Sequence, residues 1–368
     1  MSLKESKRAL ESVGYRFNEM GQLRSIDEDG PYKFEVKHGD KHYNQAAYEN
    51  IGKIVDNYIF HLLVEQEGLL QVKVPLECND KEEDPTSFVF HSPDLPSYEK
   101  LLVLIHGSGV VRAGQWSRRL IINHSLESGS QIPYIQHAKQ LGYGILVMNS
   151  NQNRDTSGRI VRGSETPEAH FNYVWKNIVQ PSKVEDVAIV AHSYGGVITI
   201  NGAAEIKDVA ERTFAVAFTD SVHSIQGQIS NQQYKRLGPW IKDNIKNWVS
   251  SSKPLNEEEY TKHFDCPRVS AGTSVHEETS WKSFGAVWEF IEQKANRETS
   301  NLQGNSKAKD KAKEESKPKT KQSKIADYFK KNQHHPSTFK IDDDVAKTDL
   351  TSGSDSNDVD MESQKDEL

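Results

Sequence analysis

The sequence predicts an α/β protein in which a mostly parallel central sheet is flanked by helices. Two continuous apolar runs, Leu101-Leu102-Val103-Leu104-Ile105 after Lys100 and Phe214-Ala215-Val216-Ala217-Phe218 after Thr213, read as strands covered on both faces. Between them, Val187-Ala188-Ile189-Val190 runs into Ala191-His192-Ser193-Tyr194-Gly195-Gly196. Apolar residues at helical spacing (Val197, Ile198, Ile200) follow at once, so this stretch is strand, sharp turn and helix.

The remaining elements follow in chain order. Residues 4–13 suit a short helix. Residues 14–24 alternate around an Asn/Gly turn and suggest a hairpin. From 43 to 64, Tyr48, Ile51, Val55, Tyr58, Ile59 and Leu62 recur at three and four, which predicts a helix. Strands are expected at 70–75 and 87–90, separated by an Asp/Glu/Pro loop. A long loop at 112–125 carries Arg112, Arg118 and Arg119, which could line a mouth or pair with acids. A helix at 132–140 and a strand at 144–149 precede a polar Gly/Ser-rich stretch, 151–166, expected to be mobile. Pro167 opens a helix to 179. Later elements are a helix at 237–249, a short strand and loop at 266–276, and a closing helix at 281–294.

The chemistry is carried by what ends the strands. Ala191-His192-Ser193-Tyr194-Gly195 is a nucleophile elbow, G-x-S-x-G with Ala191 for the first glycine, since the turn tolerates only small flanking residues. Ile105 leads into His106-Gly107-Ser108-Gly109. A Gly-rich loop there lets a backbone N–H of Ser108 or Gly109, together with that of Tyr194, approach a developing oxyanion. The run 213–219 ends in Asp220, and the stretch from Cys266 ends in His276. Nucleophile, acid and histidine in this chain order are those of an α/β-hydrolase. Ser193, Asp220 and His276 are thus the candidate triad, with His223 as the substitute histidine and Asp265 and Glu277 as substitute acids. The two cysteines, Cys78 and Cys266, offer neither metal spacing nor a disulfide framework, and no metal or cofactor is expected.

His106 to Trp116 (His-Gly-Ser-Gly-Val-Val-Arg-Ala-Gly-Gln-Trp), Ala191 to Gly196, Thr219 to His223 and Cys266 to Thr273 resemble the argonaute-binding protein two domain family, and within it the animal branch of cotranscriptional regulators. The resemblance spans roughly residues 10–295. It implies an α/β-hydrolase-like fold, a serine-hydrolase-like site with Ser193 as nucleophile, and a nuclear role linking Argonaute proteins, chromatin and alternative splicing or heterochromatin silencing. Where family members read Gly-Thr-Asp-x-His, this chain reads Gly-Thr-Ser-Val-His, with Ser274 at the acid position. A regulatory scaffold and an active esterase or thioesterase are the two functional classes to separate.

Composition divides the chain at about 295, into a folded domain (1–295) and a tail (296–368). A net charge of −7 conceals a basic stretch at 307–324 and an acidic one from 342 to the end. Apolar residues nearly vanish there, so a disordered tail is expected. A lysine run of this kind suits nuclear addressing, but nothing in it would read nucleic-acid sequence. One apolar island remains. Gln322, Ile325, Tyr328 and Phe329 form the Gln-x-x-Ile-x-x-Tyr-Phe pattern, which resembles the motif that docks on the replication sliding clamp. The final Lys365-Asp366-Glu367-Leu368 spells an endoplasmic-reticulum retention signal, whereas residues 1–14 are charged and lack the apolar core of a signal peptide. Nucleus and cytoplasm are the expected compartments, with the reticulum as the alternative. No apolar run predicts a membrane span.

Overall fold

The computed structural model describes residues 2–77 and 84–307, with side chains described to 296. The clamp-like motif, the acidic stretch, the retention signal and most of the lysine run lie outside the described residues, as does Cys78.

The chain opens with a helix, Leu3–Ser12, capped by Ser2 and Glu5 acting reciprocally. A hairpin follows, β1 (Tyr15–Phe17) and β2 (Leu23–Ser25). Its turn is closed by Asn18, whose side-chain oxygen accepts the N–H groups of Met20 (3.0 Å) and Gln22 (2.9 Å). The helix Lys41–His61 packs against this unit and ends in a π-type turn, Leu62–Gln66, so the expected helix at 43–64 loses its last turn of regular α geometry.

The central sheet has eight strands. They are β3 (Leu70–Val74), β4 (Ser87–His91), β5 (Lys100–Ile105), β6 (Gly144–Val147), β7 (Asp186–His192), β8 (Thr213–Thr219), β9 (Ile245–Val249) and β10 (Arg268–Ser270). Their spatial order is β10-β9-β8-β7-β5-β6-β4-β3. From β6 to β10 every pairing is parallel, and β3 and β4 join antiparallel at one edge. This is the strand order of the α/β-hydrolase fold.

Period-two alternation sorts the central strands between two cores. Leu102, Leu104, Ala188, Val190, Ala215 and Ala217 enter one, with Tyr134, Trp248 and Trp288. Leu101, Val103, Ile105, Val187, Ile189, Ala191, Val216 and Phe218 enter the other, with Phe171 and Trp175. Burial on both faces explains why these strands read as unbroken apolar runs.

Several expectations need correction. The helix expected at 237–249 is two elements, the helix Asn231–Asn244 and strand β9. In β9, Ile245, Asn247, Trp248 and Val249 are all buried, and the strand lies between β8 and β10, where sheet pairing overrides helical spacing. The helix from Pro167 keeps α geometry only to Val174, then passes through a π-type turn, Trp175–Val179. The loop at 112–125 contains the helix Arg118–Asn123, and Lys207–Arg212 is a further helix. The stretch 151–166, expected to be mobile, is tied down. The Asp155 carboxylate accepts from Ser157 and Arg159, and buried Ser164 hydrogen-bonds buried His170 at 2.9 Å. The last helix, Phe284–Lys307, runs past the expected boundary at 295.

Candidate functional site

The chain leaves β5 in one direction to form β6 and adds β7 on the other side, so a crevice opens at the carboxyl ends of these strands. Ser193 follows β7, the His106–Gly107 loop follows β5, Asp220 follows β8, and Asn151 follows β6.

Ser193 holds φ 53° and ψ −118° at the start of the helix Tyr194–Glu205. A non-glycine residue in that region costs roughly 1–3 kcal/mol, which the surrounding structure must hold in place. The close approach of β5 explains the small neighbours. A Cβ on Gly195 would stand 2.7 Å from the carbonyl oxygen of Ile105, and one on Gly107 would stand 3.0 Å from the Cβ of Ser193. The elbow and the His-Gly loop are therefore in direct contact. Ser193 is half-buried, and the N–H of Tyr194 has no acceptor among the described residues, consistent with a helix start.

His276 lies just beyond the end of β10, in a short turn, His276–Glu278. Its Nδ1–H donates to Oδ2 of Asp220 at 2.8 Å. Oδ1 of Asp220 accepts the backbone N–H of Ser250 at 3.0 Å. Burial would raise the Asp220 pKa, but the hydrogen bonds from His276 and Ser250 outweigh it and hold the carboxyl below its ordinary value. Nε2 of His276 and Oγ of Ser193 have no hydrogen-bond partner among the described residues. The His276 ring stands against that of His192, centroids 4.7 Å apart, and so beside the residue preceding the nucleophile. His192 is itself fixed by donating Nδ1–H to the carbonyl of Thr219 at 2.8 Å.

The substitute residues are engaged elsewhere. His223 is bonded through Nδ1 to Ser221 Oγ (2.7 Å) and donates Nε2–H to Asp265 (2.8 Å). Glu277 pairs with buried Arg119 at 3.0 Å. Ser274, at the position of the family's acid, is exposed. Cys266 joins His223 and Asp265 in a group whose ligand atoms lie within 4.8 Å of one another. Those residue types suit a transition metal, but here both ring nitrogens of His223 are taken by hydrogen bonds within the protein.

Of the expected oxyanion donors, Ser108 and Gly109 are exposed at the crevice rim. What sets their loop was not foreseen. Nδ2 of Asn151 donates to the carbonyls of Gly107 (2.9 Å), Gly109 (3.1 Å) and Val111 (3.1 Å). No sequence signal marked Asn151, which sits in a polar stretch with no periodicity. His106 is buried, as a structural histidine would be, and donates Nδ1–H to the carbonyl of Gly107 at 2.8 Å. Arg118 is also structural, paired with Asp56 at 3.0 Å. A separate cavity of about 680 Å³ lies between the hairpin and the helix Lys41–His61, lined by Tyr15, Tyr32 and Tyr43, and includes none of the residues around Ser193.

Comparison with known proteins places this chain in a family. The Arb2 domain model matches residues 6–157 and 154–255. The chain belongs to the Arb2 domain family. It is 38% identical over 347 residues to cotranscriptional regulator ARB2A of Homo sapiens, covering 80% of this chain and 82% of that one. It is 30% identical over 323 residues to a cotranscriptional regulator ARB2A homolog of Dictyostelium discoideum, covering 77% and 79%. Among solved structures it resembles the histone deacetylase Clr3, with TM-score 0.45 and 14% identity over 67% of this chain and 39% of that one. It also resembles a Pyrococcus furiosus esterase, with TM-score 0.35 and 13% identity over 62% and 93%. No helix among the described residues is long and apolar enough to cross a membrane.

Proposed function

We propose that this Arb2 domain protein is a nuclear regulatory factor whose hydrolase-like site performs acyl transfer through Ser193. The observation that carries the chemical half is the Asp220–His276 hydrogen bond at the mouth that holds the strained Ser193. With Nδ1–H committed to Asp220, Nε2 of His276 is the free base. It takes the proton of Ser193 Oγ as that oxygen bonds to the carbonyl carbon of an ester or thioester. The carbonyl becomes an oxyanion beside the N–H groups of Tyr194 and of Ser108 or Gly109. Nε2–H then protonates the departing alcohol or thiol. Water repeats the sequence on the acyl-serine, releasing the acid and restoring Ser193. The missing direct hydrogen bond between Ser193 and His276 is compatible with this, since such contacts tighten on substrate binding. Asp220 supplies the acid that Ser274 does not.

The regulatory half rests on kinship with proteins named cotranscriptional regulators. The family resemblance adds Argonaute, chromatin and splicing factors as partners, with the lysine run at 307–324 as nuclear address. The tail motif adds the sliding clamp as a candidate partner, through Gln322, Ile325, Tyr328 and Phe329. A second reading, a scaffold that keeps the fold without turnover, draws on the same missing hydrogen bond. Hydrolysis of short-chain 4-nitrophenyl esters by the full chain and by Ser193→Ala separates the two. Turnover that drops about 10³-fold in the variant supports the enzyme, and equal rates support the scaffold.

A further inference from the structure

The loop after β8 runs from Asp220 through Ser221 and Val222 to His223, and there it meets the chain entering β10. Nε2 of His223 lies 2.8 Å from Oδ1 of Asp265 and 3.8 Å from Sγ of Cys266. The three side chains are almost closed to solvent. Cys266 is fully buried, His223 is 2% exposed, and Asp265, at 12%, is the one that solvent reaches. This is not the arrangement of a cysteine nucleophile. A proton relay needs the thiol and the acid on opposite ring nitrogens, whereas here both address Nε2.

Three donor atoms converging on one point is how ligands stand around an ion. Zinc bonds of about 2.0–2.3 Å set neighbouring tetrahedral ligand atoms roughly 3.3–3.6 Å apart, so Sγ is nearly in place and the contact between Nε2 and Oδ1 must open by only about half an ångström. The other ring nitrogen is held as that of a ligating histidine is held. Nδ1 lies 2.7 Å from Ser221 Oγ, which also accepts the backbone N–H of His223 at 3.2 Å. Ser221 is itself wedged against the elbow helix, since a Cβ on Gly196 would stand 1.9 Å from its Oγ. In the metal-free chain Nε2–H donates to Asp265. On binding, the ion replaces that proton, Nδ1–H donates to Ser221, and the thiol gives up its own proton to solvent.

We propose that His223, Asp265 and Cys266 bind a divalent ion of the zinc class, with water completing a four-coordinate shell on the side of Asp265. Thiolate and imidazole together select zinc over magnesium or calcium, which take oxygen ligands. The ion pins the loop that carries Asp220, and in that loop the N–H of Val222 donates to the carbonyl of Ser193 at 3.3 Å. Its place is thus structural support beneath the crevice. The site stands whether or not Ser193 turns over, because its binding is measured directly.

The test uses the full chain stripped of metal by a chelator. Calorimetric titration with zinc should show one saturable site, and titration with cobalt(II) should raise a near-ultraviolet thiolate-to-cobalt absorption. Both should persist in Cys78→Ser, which removes the other thiol. Cys266→Ser should abolish the absorption, and Cys266→Ser and His223→Gln should each weaken zinc binding by about 100-fold or more. A measurement that needs no substitution covers the case in which these variants misfold. X-ray absorption of wild-type protein loaded with one equivalent of zinc should show one sulfur at about 2.3 Å, with nitrogen and oxygen at about 2.0–2.2 Å. No saturable binding by the wild type, a zinc shell without sulfur, or cobalt absorption that survives in Cys266→Ser overturns the site and leaves His223, Asp265 and Cys266 as a hydrogen-bonded latch.

Discussion

Nδ1 of His276 donates to Oδ2 of Asp220 at 2.8 Å, joining loops that follow β8 and β10. The second oxygen of Asp220 is held by Ser250, so the carboxylate cannot swing without losing a backbone partner. This fixes which ring nitrogen of His276 carries the proton. Asp220→Asn should keep the fold and present the wrong tautomer of His276. We expect ester turnover, or the rate of Ser193 modification, to fall by roughly 10³-fold or more. An unchanged rate would remove Asp220 from the chemistry.

Three buried histidines make stability depend on pH. Burial pushes His106 down to about 4, His170 to about 3 and His192 to about 3, the last helped by His276 nearby. In the unfolded chain these groups titrate near 6.5. Below that value the unfolded state binds more protons than the folded one, so stability is full above about pH 6.5 and declines as pH falls toward 4. Each histidine contributes at most about 1.4 kcal/mol per pH unit in that window. Urea denaturation at pH 7.5 and pH 5.0 should show a loss of a few kcal/mol at the lower pH, and equal midpoints would contradict the buried neutral state.

The tail motif calls for a different measurement. Ile325, Tyr328 and Phe329 fall on one face if residues 322–331 take a helical turn on a partner, and flanking lysines would steer them to an acidic surface. Calorimetric titration of the full chain into purified sliding clamp should give saturable heat. Tyr328→Ala with Phe329→Ala should abolish it, since aromatic anchors commonly supply about 2 kcal/mol or more each. Ser323→Ala should hardly matter. No heat from the wild-type chain would retire the motif.

Much of this architecture is legible in the chain because both faces of the central strands are buried. Runs such as Leu101 to Ile105 and Val187 to Ala191 have no polar interruption, and the elbow announces itself through Gly195, which must lie against β5. β9 is less visible because Lys246 and Asn247 break its apolar run. That lysine stays in the strand by laying its charge near the faces of Trp248 (5.6 Å), two residues on, and Phe290 (5.2 Å), which comes from distant sequence. The same limit applies to the site. Ser193, Asp220 and His276 each sit at an element end with a recognisable pattern. The contacts of Asn151 and Ser250 depend on which loops meet, and local spacing does not encode that.

The most direct measurement is covalent. Purified full-length protein treated with a fluorophosphonate, digested and mapped by mass spectrometry should carry one adduct, on Ser193. The adduct should be lost in Ser193→Ala and form far more slowly in His276→Ala. Protein that stays unmodified at Ser193 under conditions that label an active serine esterase to completion would contradict the hydrolase reading and leave the regulatory scaffold.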